Sequence, residues 1–104
     1  MAIESYRGEH LHFSTATGED AIEMLLAAFL DELEREEAKY PYWPQDKIHQ
    51  AAIVSETAGE LLQTAIQFEQ ENGNRGSMLK EAVRVGAVTL RFLLHYYLPG
   101  RNRE

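Results

Sequence analysis

Residues 77–98, SMLKEAVRVGAVTLRFLLHYYL, carry the strongest secondary-structure signal in the chain. Their apolar and small side chains recur every three or four residues, as they do on one face of a helix: Leu79, Ala82, Val83, Gly86, Leu90, Leu93, Leu94 and Tyr97. Ser77 is predicted to cap this helix, and Pro99 with Gly100 to end it. The apolar face is too wide for one neighbouring helix to cover, which predicts an all-α bundle whose core is completed by homodimerisation.

A second helix is predicted directly upstream, capped by Asp46. It carries a broad stripe of apolar and small residues: Ile48, Ala51, Ala52, Ser55, Ala58, Gly59, Leu62, Ala65 and Ile66. Asn72-Gly73 and Gly76 form a stop signal, so this helix should end between Phe68 and Asn72 and form an antiparallel hairpin with the last helix. A glycine inside a helix costs about 1 kcal/mol relative to alanine. Gly59 and Gly86 therefore predict a close crossing of these two helices.

A first helix is predicted from a capping arrangement of Thr17 and Asp20 to about Lys39. Its apolar residues again have helical spacing: Ile22, Leu25, Leu26, Phe29, Leu30 and Leu33. The charged stretch from Asp31 to Glu37 is interpreted as a solvated face. The sequence thus predicts an antiparallel bundle of three main helices.

The segment Tyr40-Pro41-Tyr42-Trp43-Pro44 separates the first two helices. Two prolines cannot continue a helix, and each restricts the preceding residue to extended geometry, so the segment is predicted to be a rigid aromatic loop. Trp43 either packs onto the second helix as a hydrophobic staple or stacks on a base.

Length and composition limit the organisation of the chain. Its 104 residues, 44% of them apolar, suit one domain over 1–104, with an irregular arm at 1–16 and a polar tail at 99–104. The absence of cysteine excludes thiolate chemistry and fits a reducing compartment, so a cytoplasmic location is predicted. No apolar run approaches the roughly 18 residues of a membrane span, so no membrane association is expected.

The net charge of −7 argues against nucleic acid as a partner, because it repels phosphate backbones. The charge is unevenly distributed: residues 1–74 hold 4 Lys and Arg against 15 Asp and Glu, whereas residues 75–104 hold 6 against 2. The basic last third either meets an anion or complements the acidic helices within the fold or a dimer.

A polar stripe on the second helix contains the candidate functional residues: His49, Glu56, Glu60, Gln63 and Gln67. Its glutamates lie among small and apolar residues, where an uncompensated carboxylate is very costly. They therefore require a cation, either a divalent ion or a basic residue of the third helix. If the second helix stops at Asn72, Glu81 lies roughly 12 Å from the level of Glu60, and a stop near Phe68 reduces this to about 6 Å.

The segment from Ala52 to Leu61, AIVSETAGEL, and the later segment KEAVR at 80–84 resemble the acidic signature of MazG-like nucleotide pyrophosphohydrolases. That signature is Glu-Glu-x-x-Glu on one helix and Glu-x-x-Asp on the next. Glu56, Glu60 and Glu81 match its glutamates, whereas Thr57 and Arg84 replace a glutamate and the aspartate. The resemblance covers roughly residues 19–98.

The resemblance implies that Glu56, Glu60 and Glu81 hold Mg²⁺ and that Lys80 and Arg84 face the phosphates of a nucleoside triphosphate. The implied reaction is hydrolysis to the monophosphate and pyrophosphate. The alternative is a catalytically lapsed dimer of the same fold that acts as a binding or regulatory module. In that alternative, Glu56 and Glu60 form inter-helix ion pairs with Arg84, Arg91 or His95.

Overall fold

The structure, a computed structural model, describes residues 18–100. It contains three helices, α1 (Gly18–Lys39), α2 (Lys47–Gln70) and α3 (Arg75–Tyr97), and residues 18–100 include no strand. Helix α3 packs against both α1 and α2. The predicted all-α three-helix bundle is confirmed. The predicted arm at 1–16, the Thr17 cap and the tail residues 101–104 lie outside the described residues.

Helices α2 and α3 form the predicted antiparallel hairpin. Contacts that join Lys47 to His95, Glu60 to Arg84 and Phe68 to Arg75 run in opposite directions along the two helices. The connecting turn places Asn72 in the left-handed region, with φ of 57°, where asparagine is better tolerated than most residues. This register brings the middle of α2 level with Arg84.

The start of α2 is as predicted, but the predicted cap of α3 is wrong. Asp46 caps α2, because its Oδ2 accepts a hydrogen bond from the His49 amide at 3.1 Å. Asn74, and not Ser77, caps α3: its Oδ1 accepts from the Ser77 amide at 3.1 Å. Asn74 combines an extended backbone with a short side-chain acceptor, so the two following residues enter the first helical turn.

Part of the charged stretch of α1 faces the core of the bundle. Glu32 and Glu36 are each only 8% exposed, so the prediction that residues 31–37 form a solvated face is wrong at these two positions. They lie on the face that contains the buried Ala21 and Leu33. Salt bridges with Arg35 and Arg84 respectively compensate the two buried carboxylates. The apolar side chains on another face of the same helix remain exposed: Ile22, Leu26 and Leu30.

Gly59 in α2 and Gly86 in α3 have different surroundings, and the predicted close crossing of α2 and α3 at both of them is wrong. A Cβ atom at Gly59 would meet nothing within 4 Å. A Cβ atom at Gly86 would lie 2.9 Å from Cε1 of Phe29, so the close approach is between α3 and α1. Of these two glycines, only Gly86 is required by packing.

Gly59→Ala and Gly86→Ala are therefore expected to change stability in opposite directions. Gly59→Ala should raise the free energy of unfolding by about 1 kcal/mol, because alanine is the better helix former. Gly86→Ala should lower it by about 1 kcal/mol, since overpacking against Phe29 outweighs the same gain in propensity. Thermal melts of both variants test this pair. A higher melting temperature for Gly86→Ala would show that the Phe29 ring can move aside without loss of stability.

Candidate functional site

The aromatic loop between α1 and α2 is fixed to α3 through Arg91. Trp43 is 3% exposed, and the Arg91 guanidinium lies over its ring, 4.7 Å from the centroid. Arg91 Nη2 also donates a hydrogen bond to the backbone oxygen of Tyr40 at 2.8 Å. Trp43 is thus nearly fully buried and contacts α3 through Arg91. Tyr42, which is 69% exposed, and Tyr40, which is 48% exposed, are the accessible aromatic residues of the loop.

A buried polar network holds the end of the loop. Gln50 has no exposed surface, and its Nε2 donates to the Pro44 oxygen at 2.7 Å and to His95 Nδ1 at 3.1 Å. Lys47 Nζ lies 3.3 Å from the same His95 nitrogen. Two donors at Nδ1 require the tautomer that carries its proton on Nε2. The network therefore links the loop, α2 and α3 through a neutral imidazole.

The pKa of His95 is lowered by burial of the ring, and the nearby charges of Lys47 and Arg91 lower it further. In the unfolded chain, a histidine titrates at about 6.5. The unfolded state therefore binds a proton in a range where the folded ring stays neutral. The contribution of His95 to stability is complete above about pH 6.5 and is lost as the pH falls through the folded pKa.

We expect the free energy of unfolding to fall as the pH is lowered below about 6.5 because of His95. The pKa of Glu36 is raised, mainly by burial, and this shift has the opposite effect on the pH dependence. The measurement is therefore the difference between wild type and His95→Gln in denaturant titrations at several pH values. A difference that does not change with pH would show that the ring does not resist protonation.

A cavity of about 320 Å³ lies between the aromatic loop and the three helices. Tyr40, Tyr42 and Trp43 supply aromatic surface, and Ile53 and Val88 supply aliphatic surface. The charged side chains on its wall include both signs: Glu36, Glu56, Glu60, Arg84 and Arg91. The cavity thus offers apolar contact area and oriented polar groups, the combination found in small-molecule sites.

Arg84 is at the centre of the charged wall. Its Nη1 donates to Glu60 Oε1 at 2.7 Å, and its Nε donates to Glu36 Oε2 at 3.1 Å. The same Nη1 lies 3.5 Å from Glu81 Oε1. Burial acts to lower the pKa of Arg84, but attraction by Glu36, Glu60 and Glu81 raises it above its usual value. The guanidinium therefore remains charged and compensates the acidic groups.

The structure brings together most of the predicted site residues. Glu60 and Glu81 both approach Arg84, and Glu56 lines the same cavity as Glu60. Lys80 does not line this cavity; it borders a separate depression with residues of α1 that include Asp31 and Arg35. The predicted ion pair between Glu60 and Arg84 is present.

Sequence reasoning missed Glu36, which α1 contributes to the charged wall. Its position in the sequence could have indicated this. Glu32 and Glu36 follow Ala21, Leu25 and Ala28 at helical spacing and therefore lie on the same face of α1. Tyr40 was assigned to the loop, but its backbone contact with Arg91 depends on the packing of α3 and has no sequence signal.

The donor set in the described range is not arranged for a metal ion. No group of three or more His, Asp or Glu in residues 18–100 has a geometry that could hold one. Thr57, at a glutamate position of the acidic signature, donates its hydroxyl proton to the Ile53 oxygen at 2.8 Å, within its own helix. Arg84 places a positive charge between the carboxylates that would have to bind Mg²⁺. These residues do not fit the ion in this arrangement.

No protein-family model matches the chain, and no curated protein and no solved structure gives a significant match. In the part of the chain that the structure describes, no helix is both long enough and apolar enough to cross a bilayer.

Proposed function

We propose that this chain is a small-molecule-binding module of the MazG-like type that binds its ligand without a metal ion and does not hydrolyse it. The observation that carries the proposal is the Arg84 guanidinium, which compensates Glu36 and Glu60 on the cavity wall. A cavity of about 320 Å³ is at the lower end of the usual range for small-molecule sites. The resemblance in the acidic signature suggests a nucleotide as the ligand, with Arg84 near its phosphates.

A nucleotide panel with and without Mg²⁺ tests this function. We expect one or more nucleotides to raise the melting temperature in the presence of EDTA, and no release of pyrophosphate in either condition. Tyr42→Ala should weaken binding because Tyr42 is an exposed aromatic residue of the cavity. Tyr97→Ala is the matched control, since Tyr97 is equally exposed but does not line the cavity. No stabilisation by any nucleotide would contradict the proposal.

The second candidate is a Mg²⁺-dependent nucleoside triphosphate pyrophosphohydrolase. It is favoured by the approach of Glu60 and Glu81, from two helices, to a single cationic group. It would require these residues and Glu56 to bind the ion in place of Arg84, and it assigns phosphate binding to Lys80 and Arg84. Release of pyrophosphate that needs Mg²⁺ and is abolished by Glu60→Gln would support this candidate over binding alone.

We also propose that two copies associate through the exposed apolar face of the bundle. Ile22, Leu26 and Leu30 form a row on α1 with helical spacing, and each is about half exposed. A contiguous apolar face of this kind is a typical protein contact surface. A strictly monomeric mass in light scattering at micromolar concentration would contradict the homodimer.

A further inference from the structure

We infer that Glu36, Glu60 and Glu81 form a guanidinium-binding cage, and that Arg84 is the resident cation of this cage. The site joins all three helices, and the side chain of Arg84 from the same chain occupies it. This inference concerns a binding site for a planar organic cation and does not depend on which ligand occupies the neighbouring cavity.

Each member of the cage comes from a different helix. Glu36 belongs to α1, Glu60 to α2 and Glu81 to α3, and all three carboxylates lie within 3.5 Å of a nitrogen of one guanidinium. Glu36 and Glu60 accept from different nitrogens, Nε and Nη1, which have fixed relative directions in the planar group. Arg84 thus connects α1 and α2 through α3.

The shape of the cation is as important as its charge. A lysine ammonium is a point charge on a flexible stem and does not reproduce the fixed directions of two guanidinium donors. Mg²⁺ needs oxygen ligands at about 2.0 to 2.1 Å in nearly ideal octahedral geometry. Residues 18–100 contain no group of three or more His, Asp or Glu that could hold such an ion.

Chemical rescue of Arg84→Ala tests the cage. The variant leaves a guanidinium-sized space among three carboxylates, so its melting temperature should fall well below that of wild type. Low millimolar methylguanidinium should restore several degrees of the loss, whereas MgCl₂ at equal ionic strength should restore less. Arg35→Ala is the matched control. It also removes an arginine that is paired with an α1 glutamate, but Arg35 is exposed and its partner lies on its own helix. Methylguanidinium should not stabilise it.

Three outcomes of the rescue experiment would overturn the inference. Stronger rescue of Arg84→Ala by MgCl₂ or MnCl₂ would identify a metal cage, and equal stabilisation of Arg35→Ala by methylguanidinium would identify a non-specific effect. Failure of every cation to stabilise a folded Arg84→Ala would also count against a cage.

Two further measurements keep the inference testable if Arg84→Ala does not fold. Arg84→Lys keeps the charge and should still melt below wild type, because it lacks the planar fork of donors. The wild-type melting temperature should be the same in EDTA and in MgCl₂. Full stability of Arg84→Lys, or a clear rise of the wild-type melting temperature with Mg²⁺, would overturn the inference.

Discussion

Trp43→Ala is expected to lower the free energy of unfolding by about 3 to 5 kcal/mol, the usual cost of removing a buried tryptophan. The indole is 3% exposed and lies against the guanidinium of Arg91, which is itself 2% exposed. Its removal leaves a cavity and deprives a buried cation of the ring face that it contacts. A domain of this size has a total stability of about 5 to 15 kcal/mol, so the variant should be partly unfolded near physiological temperature.

Denaturant titration measures this loss, and the neighbouring residue provides the control. Tyr42→Ala removes an aromatic side chain from the same loop, but Tyr42 is 69% exposed and the change should stay within about 0.5 kcal/mol. A loss of less than about 1 kcal/mol for Trp43→Ala would show that the loop is not packed on α3 in solution.

Gln50→Ala should cost about 3 kcal/mol, the second-largest effect that we expect from a single substitution. The variant creates a void and leaves the Pro44 oxygen buried without its donor, and an unsatisfied buried group alone costs about 1 to 3 kcal/mol. Lys47 still reaches His95 Nδ1, so this nitrogen keeps one of its two donors.

Gln63→Ala makes the same substitution on the same helix at an exposed position, where alanine is the better helix former. It should leave stability unchanged or raise it slightly. Equal effects of the two substitutions in denaturant titrations would mean that the network of Gln50, His95 and Pro44 contributes nothing.

Much of the fold follows from local rules in the sequence. The all-α class, the start of α2 and the C-terminal ends of the three helices were predictable because helical periodicity and helix-ending signals depend on residues within a turn of one another. The predicted cap of α3 was wrong by only three residues, because Asn74 and Ser77 are both good capping residues. The candidate site was predictable only in part. Glu60 and Arg84 could be proposed as partners, but the choice between Phe68 and Asn72 as the end of α2 left their register open.

The sequence by itself determined three amphipathic helices, the rigid break at 40–44 and the presence of carboxylates that need a cation. The tertiary structure decided which cation they meet and which carboxylates take part. Helix α2 ends at Gln70 and α3 begins at Arg75, which sets Glu60 beside Arg84, and the packing of α1 on α3 adds Glu36. Contacts between residues 24 and 48 positions apart depend on how helices pack, and hydrophobic periodicity specifies only which face is buried. Ile22 and Leu26 belong to the apolar set with helical spacing on α1, yet packing within one chain leaves both exposed.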